Sequence, residues 1–207
     1  MSLPKVILVT ETWLSANSPA VNVNVSNYCL VSSPRVTGRG GGVAVYVHNS
    51  VNFVVKDKSY DHGALKGIDY LLIELLQLKM SLCCMYCPPS TPLRNILSIL
   101  EQVKATCALN TALVVGGDFN INLLDTTAEI SSDFLNELHN LSLHPVISLP
   151  TRVTDTSATL IDNFLCDFSL LPITSNVIKV DLSDHFMIAL KLIFVPQQAN
   201  LLSEIFL

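Results

Sequence analysis

Apolar stretches in this chain are mostly continuous rather than alternating, and each closes at acidic, polar or turn residues. Continuous runs of this kind mark strands buried on both faces. They predict strands at residues 6–10, 28–32, 43–47, 51–55, 70–76, 80–86, 113–115, 160–166, 177–180 and 187–194. The run of glycines after Arg39 makes a tight turn into 43–47, and Asn49-Ser50 turns the chain into 51–55, so these two read as a hairpin. Residues 70–76 and 80–86 form the next pair, ended by Pro88-Pro89.

Two segments switch to helical spacing. In 92–109, Leu93, Ile96, Leu97, Leu100 and Val103 recur every three or four positions, with Ser90 or Thr91 as a cap and Pro92 in the first turn. In 131–141, Phe134, Leu135, Leu138 and Leu141 share one face. Residues 15–27, rich in Ser, Asn and Pro, read as a surface loop. Strands outnumber helices and no internal repeat is visible. The expected architecture is therefore α+β, a sandwich of two sheets with flanking helices over residues 1–195. Residues 196–207 show no clear pattern and read as a disordered tail.

Composition narrows the class. Half of the 207 residues are hydrophobic, enough for one domain with a double-layered core. No run approaches the roughly 18–20 apolar residues of a membrane span. The longest, 70–87, is broken by Glu74, Gln77 and Lys79. An acidic residue ends the apolar N-terminal stretch and no small-residue cleavage site follows, so no signal peptide is read there. The expected setting is intracellular, nucleus or cytoplasm, and not secreted. Six cysteines suit buried free thiols in a reducing compartment: Cys83 and Cys84 would face opposite sides of one strand, and no second pair completes a zinc set. A formal charge of −5 is awkward for a nucleic-acid partner, less so if several acids share a divalent cation.

Four motifs put acids, amides or a histidine at strand ends: TETWL at 10–14, GGDFNIN at 116–122, TLIDN at 159–163 and SDH at 183–185. Carboxylates converging in this way are what a divalent metal and a phosphodiester require. In GGDFNIN, extended backbone would put Asp118 and Asn120 on one face and Phe119 on the other, able to orient a water; the alternative is an ordinary turn. Asp162 lies in an apolar segment and needs a partner, and His185 is the natural one. Without that partner His185 would be a structural histidine. Glu11 could be an exposed carboxylate or a hard oxygen donor for Mg²⁺. Tyr86 could pack in the core with its hydroxyl at the rim. His48, His62, His139 and His144 share no metal-ligand spacing and read as structural or solvated.

In order, these motifs resemble the endonuclease/exonuclease/phosphatase superfamily, and within it the endonuclease domain of LINE-type (non-LTR) retrotransposons. RGGGVAVYV at 39–47, Tyr86 with Pro88-Pro89, PTRVT at 150–154 and the phenylalanine after SDH add to the likeness, which extends to about Phe194. The resemblance implies a deoxyribonuclease-I-like four-layer α/β sandwich and Mg²⁺-dependent (or Mn²⁺-dependent) hydrolysis of DNA phosphodiesters, with no small-molecule cofactor. It implies that Glu11 holds the metal, with Asp184 beside it. It makes Asp118 the residue that positions the attacking water, and Asn120 the one that orients Asp118 and holds the phosphate. Asp162 and His185 would stabilise the transition-state phosphate, and Tyr86 and Thr151 would contact it. The expected partner is DNA, with no membrane. The isolated domain would be a monomer, part of a longer retroelement polyprotein.

Two departures stand out. The family commonly opens with a further strand bearing an asparagine near the metal; here ten residues precede Glu11 and none is Asn. A missing first strand would expose a sheet edge and impair activity. An arginine commonly follows the tyrosine of the YCPP segment, and here that position is Cys87. The alternatives are an inactive retroelement remnant, or a phosphatase of the same superfamily.

Overall fold

The structure, a computed structural model, describes residues 3–14, 23–35, 40–59, 67–167, 173–180, 183–193 and 202–206. Arg39, His62 and most of the 15–27 loop lie outside them. Among the described residues the elements run β1 (Val6–Thr10), β2 (Tyr28–Ser33), β3 (Val43–His48), β4 (Phe53–Lys58), β5 (Asp69–Leu75), β6 (Met80–Tyr86) and α1 (Leu93–Thr106). There follow β7 (Ala112–Asp118), α2 (Glu129–Asn140), β8 (Leu143–Pro145), β9 (Arg152–Val153), β10 (Ala158–Thr159), β11 (Asp162–Asp167), β12 (Ile173–Ile178), β13 (Met187–Ile193) and β14 (Leu202–Phe206). No helix among the described residues is long and apolar enough to cross a membrane.

Two six-stranded sheets form a sandwich, in the orders β12-β13-β14-β1-β3-β2 and β4-β5-β6-β7-β11-β8. Most neighbours are antiparallel; β1 with β14 and β6 with β7 are parallel. Period two sorts each strand between two cores. One face of β6 (Leu82, Cys84, Tyr86) meets Val6, Leu8, Val45, Ile188 and Leu190 of the first sheet. The other (Cys83, Met85) meets Ile96, Leu100 and Val103 of α1 and Phe134 and Leu138 of α2. Adjacent Cys83 and Cys84 thus fall into different cores. Cys29, in contrast, is exposed. Both described helices cover the second sheet.

The expected hairpin of 43–47 with 51–55 does not form. The partner positions on both sides of β3 are taken by β1 and β2, so the chain crosses the sandwich after Asn49-Ser50 and β4 pairs with β5. Helix α1 begins without a side-chain cap; the Thr91 hydroxyl instead donates to the Pro88 carbonyl at 2.6 Å. In α2, Ser131, Phe134 and Leu138 face inward while Leu135 is exposed.

Residues 202–206, read from the sequence as patternless tail, form β14. It runs parallel to β1 (Val6 opposite Ile205) and antiparallel to β13 (Leu190 opposite Ile205). Flanked by β14 and β3, β1 is an interior strand, not the edge expected from a missing first strand.

Candidate active site

A lateral row of polar residues crosses one end of the second sheet. Asp69 pairs with Tyr86, Tyr86 with Asp118, and Asp118 with Asp162, along β5, β6, β7 and β11. Each is the first or last residue of its strand, at the end of an apolar ladder. Directly opposed residues hold their side chains on the same face, with Cβ atoms roughly 5 Å apart. The first sheet contributes Glu11 just beyond β1 and His185 just before β13. Glu11, Tyr86, Asp118, Asn120, Asp162 and His185 line a single cleft of about 670 Å³, and Asp184 and Arg152 border it as well.

Asn120 adopts φ +51°, so the extended geometry expected after β7 breaks there. The turn nonetheless joins the two side chains: Asn120 Nδ2 donates to Asp118 Oδ2 at 3.1 Å, and the Asn120 amide to Asp118 Oδ1 at 2.9 Å. A further bond from Asn120 Nδ2 to the Cys87 carbonyl at 2.9 Å anchors the amide. Phe119 turns the other way and packs on Phe134 at 5.8 Å between ring centroids. The Tyr86 hydroxyl donates to Glu11. Burial, and then that bond, push the Tyr86 hydroxyl pKa up.

His185 Nδ1 lies 3.0 and 3.2 Å from the two oxygens of Asp162, where an N–H donates to the carboxylate. This bond raises the imidazole pKa against the opposing effect of burial. Asp184, at the cleft border, is paired with Arg152: its Oδ2 accepts from Arg152 Nε at 2.7 Å, which lowers its pKa, and it is 43% exposed. Thr151 departs furthest from expectation. It is fully buried, and its Oγ1 accepts the amides of Ile161 and Asp162 at 3.2 and 3.1 Å. Its hydroxyl thus holds the backbone where the chain enters β11 at Asp162.

The donor set suits a hard divalent cation. Asp118, Asp162 and His185 each present a potential ligand atom, all within 4.8 Å of one another. Burial, and then the negative charge of Asp162, push the Asp118 carboxyl up to about 7. Two buried acids in one register pair, with Glu11 adding to the same field, are an excess of negative charge that a cation would relieve. This group differs from the expected pair of Glu11 and Asp184, of which one is bonded to Tyr86 and the other to Arg152.

A profile of the Endonuclease-reverse transcriptase family matches residues 80–189, more than half of the chain. The chain belongs to that family. Among solved structures it is similar to the endonuclease domain of TRAS1, a telomere-specific non-LTR retrotransposon. Identity is 19% and the TM-score 0.65, covering 88% of this chain and 82% of that one. An endonuclease/exonuclease/phosphatase family protein from Leptotrichia buccalis C-1013-b gives 18% identity and a TM-score of 0.61 over 92% and 88%. TDP2 from D. rerio, in a complex with single-strand DNA product, gives 14% and 0.59 over 88% and 83%. These likenesses show the deoxyribonuclease-I-like fold. A comparison with curated protein sequences found no match.

Several residues that organise this member of the Endonuclease-reverse transcriptase family escaped sequence reading. Buried Asn163 accepts the Val146 and Ile147 amides and donates to the Ile147 carbonyl, each at 3.0 Å. Asn122 Oδ1 accepts the Leu160 amide at 3.0 Å. Arg152 adds a cation to the cleft rim. The available signal was an amide in an apolar run, which demands partners once buried.

Proposed function

We propose that this domain is a Mg²⁺-dependent endonuclease that nicks DNA, with Mn²⁺ as an alternative cation. The observation that carries this reading is the convergence of Tyr86, Asp118 and Asp162 from one sheet with Glu11 and His185 from the other. Asp118, steered by Asn120, aligns a water and takes its proton. His185, charged by Asp162, faces the scissile phosphate and stabilises the extra negative charge of the transition state. Glu11, oriented by Tyr86, is the metal ligand, with Asp118 and Asp162 able to contribute oxygens. A bound Mg²⁺ would supply charge neutralisation at the leaving oxygen. Arg152 offers the rim a phosphate contact that partly offsets the net negative charge.

The likeness to the TRAS1 endonuclease domain supports a retroelement setting. In this reading the nick exposes a 3′-hydroxyl that primes reverse transcription. The domain works inside the cell as a monomeric unit of a longer polyprotein.

The test is nicking of supercoiled plasmid with Mg²⁺ and with EDTA, beside His185→Ala. Metal-dependent nicking lost in a folded His185→Ala protein is expected. Absence of nicking by a folded, monodisperse wild-type sample would sink the proposal in favour of an inactive remnant. Preference for inositol phosphates over plasmid would redirect it to a phosphatase.

A further inference from the structure

Asp69, the outermost member of the polar row, does not face the cleft. Its Oδ2 accepts three bonds: from Arg35 Nη2 at 2.6 Å, from Arg35 Nε at 2.9 Å and from the Gly42 amide at 2.8 Å. Arg35 also donates to the Gly67 carbonyl at 3.2 Å, and its guanidinium lies 5.4 Å from the centroid of the Tyr86 ring. That distance is within cation–π range. The glycine loop held by Asp69 is the one that grips the chain just after Glu11. The Gly42 carbonyl accepts the Thr12 amide at 3.1 Å, and the Gly41 carbonyl accepts the Trp13 amide at 2.9 Å.

Glu11 and Trp13 both hold positive φ, at 49° and 54°, a conformation that costs energy for a bulky side chain unless its surroundings impose it. Here those two amide bonds impose it. Gly41, at φ +74°, leaves no room for more: a Cβ there would lie 2.4 Å from Arg35 Cζ and 2.6 Å from Asp69 Oδ2. One partly buried ion pair thus touches both halves of the Tyr86–Glu11 bond, through the tyrosine ring on one side and the loop behind Glu11 on the other.

We propose that Arg35 and Asp69 are positioning residues that fix Glu11 and Tyr86 for metal binding. This rests on the nuclease reading above. What the site requires of Arg35 is its planar fork rather than its charge. Lysine keeps the charge but cannot hold Asp69 through two nitrogens while reaching Gly67.

The test compares wild type with Arg35→Met, Arg35→Lys and Asp69→Asn, and uses Val114→Ala as a core-destabilised control. Plasmid nicking is followed against Mg²⁺ concentration. Acrylamide quenching of Trp13, the only tryptophan in the chain, reports the loop without reference to activity. Expected are a roughly tenfold rise in half-saturating Mg²⁺ and stronger Trp13 quenching in all three variants, with cooperative unfolding retained in the two conservative ones. Val114→Ala should lower the melting temperature and leave the Mg²⁺ dependence unchanged. Wild-type Mg²⁺ dependence and quenching in Arg35→Met, or full recovery of both by lysine, would overturn the proposal. If wild type itself does not nick, the nuclease reading fails. The clamp is still judged by the quenching: an unchanged value in Asp69→Asn refutes it.

Discussion

Asp118 and Asp162 stand directly opposite each other on neighbouring antiparallel strands, two buried carboxylates in one register pair. Opposed like charges destabilise a sheet, and burial adds to that cost. The local conflict sits inside an otherwise consistent apolar ladder, where Asp118 is followed by Gly117, Gly116 and Val115 back along β7. Conflicts of this kind concentrate at functional sites.

Removing one of these charges should therefore stabilise the metal-free protein. With its pKa raised from 3.8 to about 7, folded Asp118 holds a proton that the unfolded chain has released. Its contribution to stability thus falls as pH rises from about 4 to about 7. His185 acts in the same direction, because its pairing stabilises below pH ~6.5 and is lost as pH climbs through its raised folded value. In EDTA, the melting temperature should decline from pH 5 to pH 8. Asp118→Asn keeps an acceptor for the Asn120 amide and should flatten that decline, gaining several degrees at pH 7.5, where ~1 kcal/mol is worth ~2–4 °C. It should also cut nicking by ~10²–10⁴-fold. Thermal melts across pH, with and without Mg²⁺, check both; a variant less stable than wild type at pH 7.5 in EDTA would contradict the account.

The His185 titration depends on Asp162. The bond between them raises the imidazole pKa while burial alone would lower it. Asp162→Asn should thus move the His185 midpoint down, below its wild-type value, and shift the alkaline limb of the nicking rate to lower pH. Imidazole proton resonances followed by NMR give the midpoint directly. An unchanged midpoint would mean the pair does not form in solution.

Much of this architecture was legible because buried strands need unbroken apolar runs. β6 spans 80–86 as its sequence pattern indicates, and the helical spacing read over 92–109 corresponds to α1 at Leu93–Thr106. The site candidates were legible as polar residues capping such runs, and all but Thr151 line the one cleft. Sheet membership was not legible. A turn such as Asn49-Ser50 fixes a change of direction but not which ladder still has a free edge, so the crossing from β3 to β4 was read as a hairpin. β14 carries weak local signal because its place between β1 and β13 is set by tertiary pairing. The Arg35–Asp69 pair joins positions 34 residues apart, beyond any local pattern.

Gly116 and Gly117 are adjacent but should respond very differently to alanine. A Cβ on Gly117 would lie 1.8 Å from the Met85 carbonyl oxygen, backbone of the neighbouring parallel strand that cannot retreat without breaking the ladder. A Cβ on Gly116 would meet Leu8 Cδ1 at 2.6 Å and Phe164 Cε1 at 2.7 Å, side chains that can partly yield. Gly116→Ala should cost about 1–3 kcal/mol in urea unfolding. Gly117→Ala should cost more than about 4 kcal/mol and fail to accumulate as folded protein. The Leu8→Ala background should soften the first and leave the second untouched.

Thr151 offers a way to separate support of the site from contact with substrate. Its hydroxyl oxygen is the acceptor for two buried amides, Ile161 and Asp162, at the point where the chain enters β11. Valine matches its shape but strands both donors, each unsatisfied amide costing about 1–3 kcal/mol. Serine keeps the oxygen and loses only a methyl group, worth about 1 kcal/mol. Thr151→Val should therefore lose roughly 2–6 kcal/mol of stability and loosen the Asp162–His185 bond, lowering the His185 midpoint. Thr151→Ser should retain that midpoint and nick at close to the wild-type rate. Were the hydroxyl instead a phosphate contact, Thr151→Val would weaken DNA affinity with stability and the His185 midpoint intact, and urea unfolding beside DNA titration distinguishes the two.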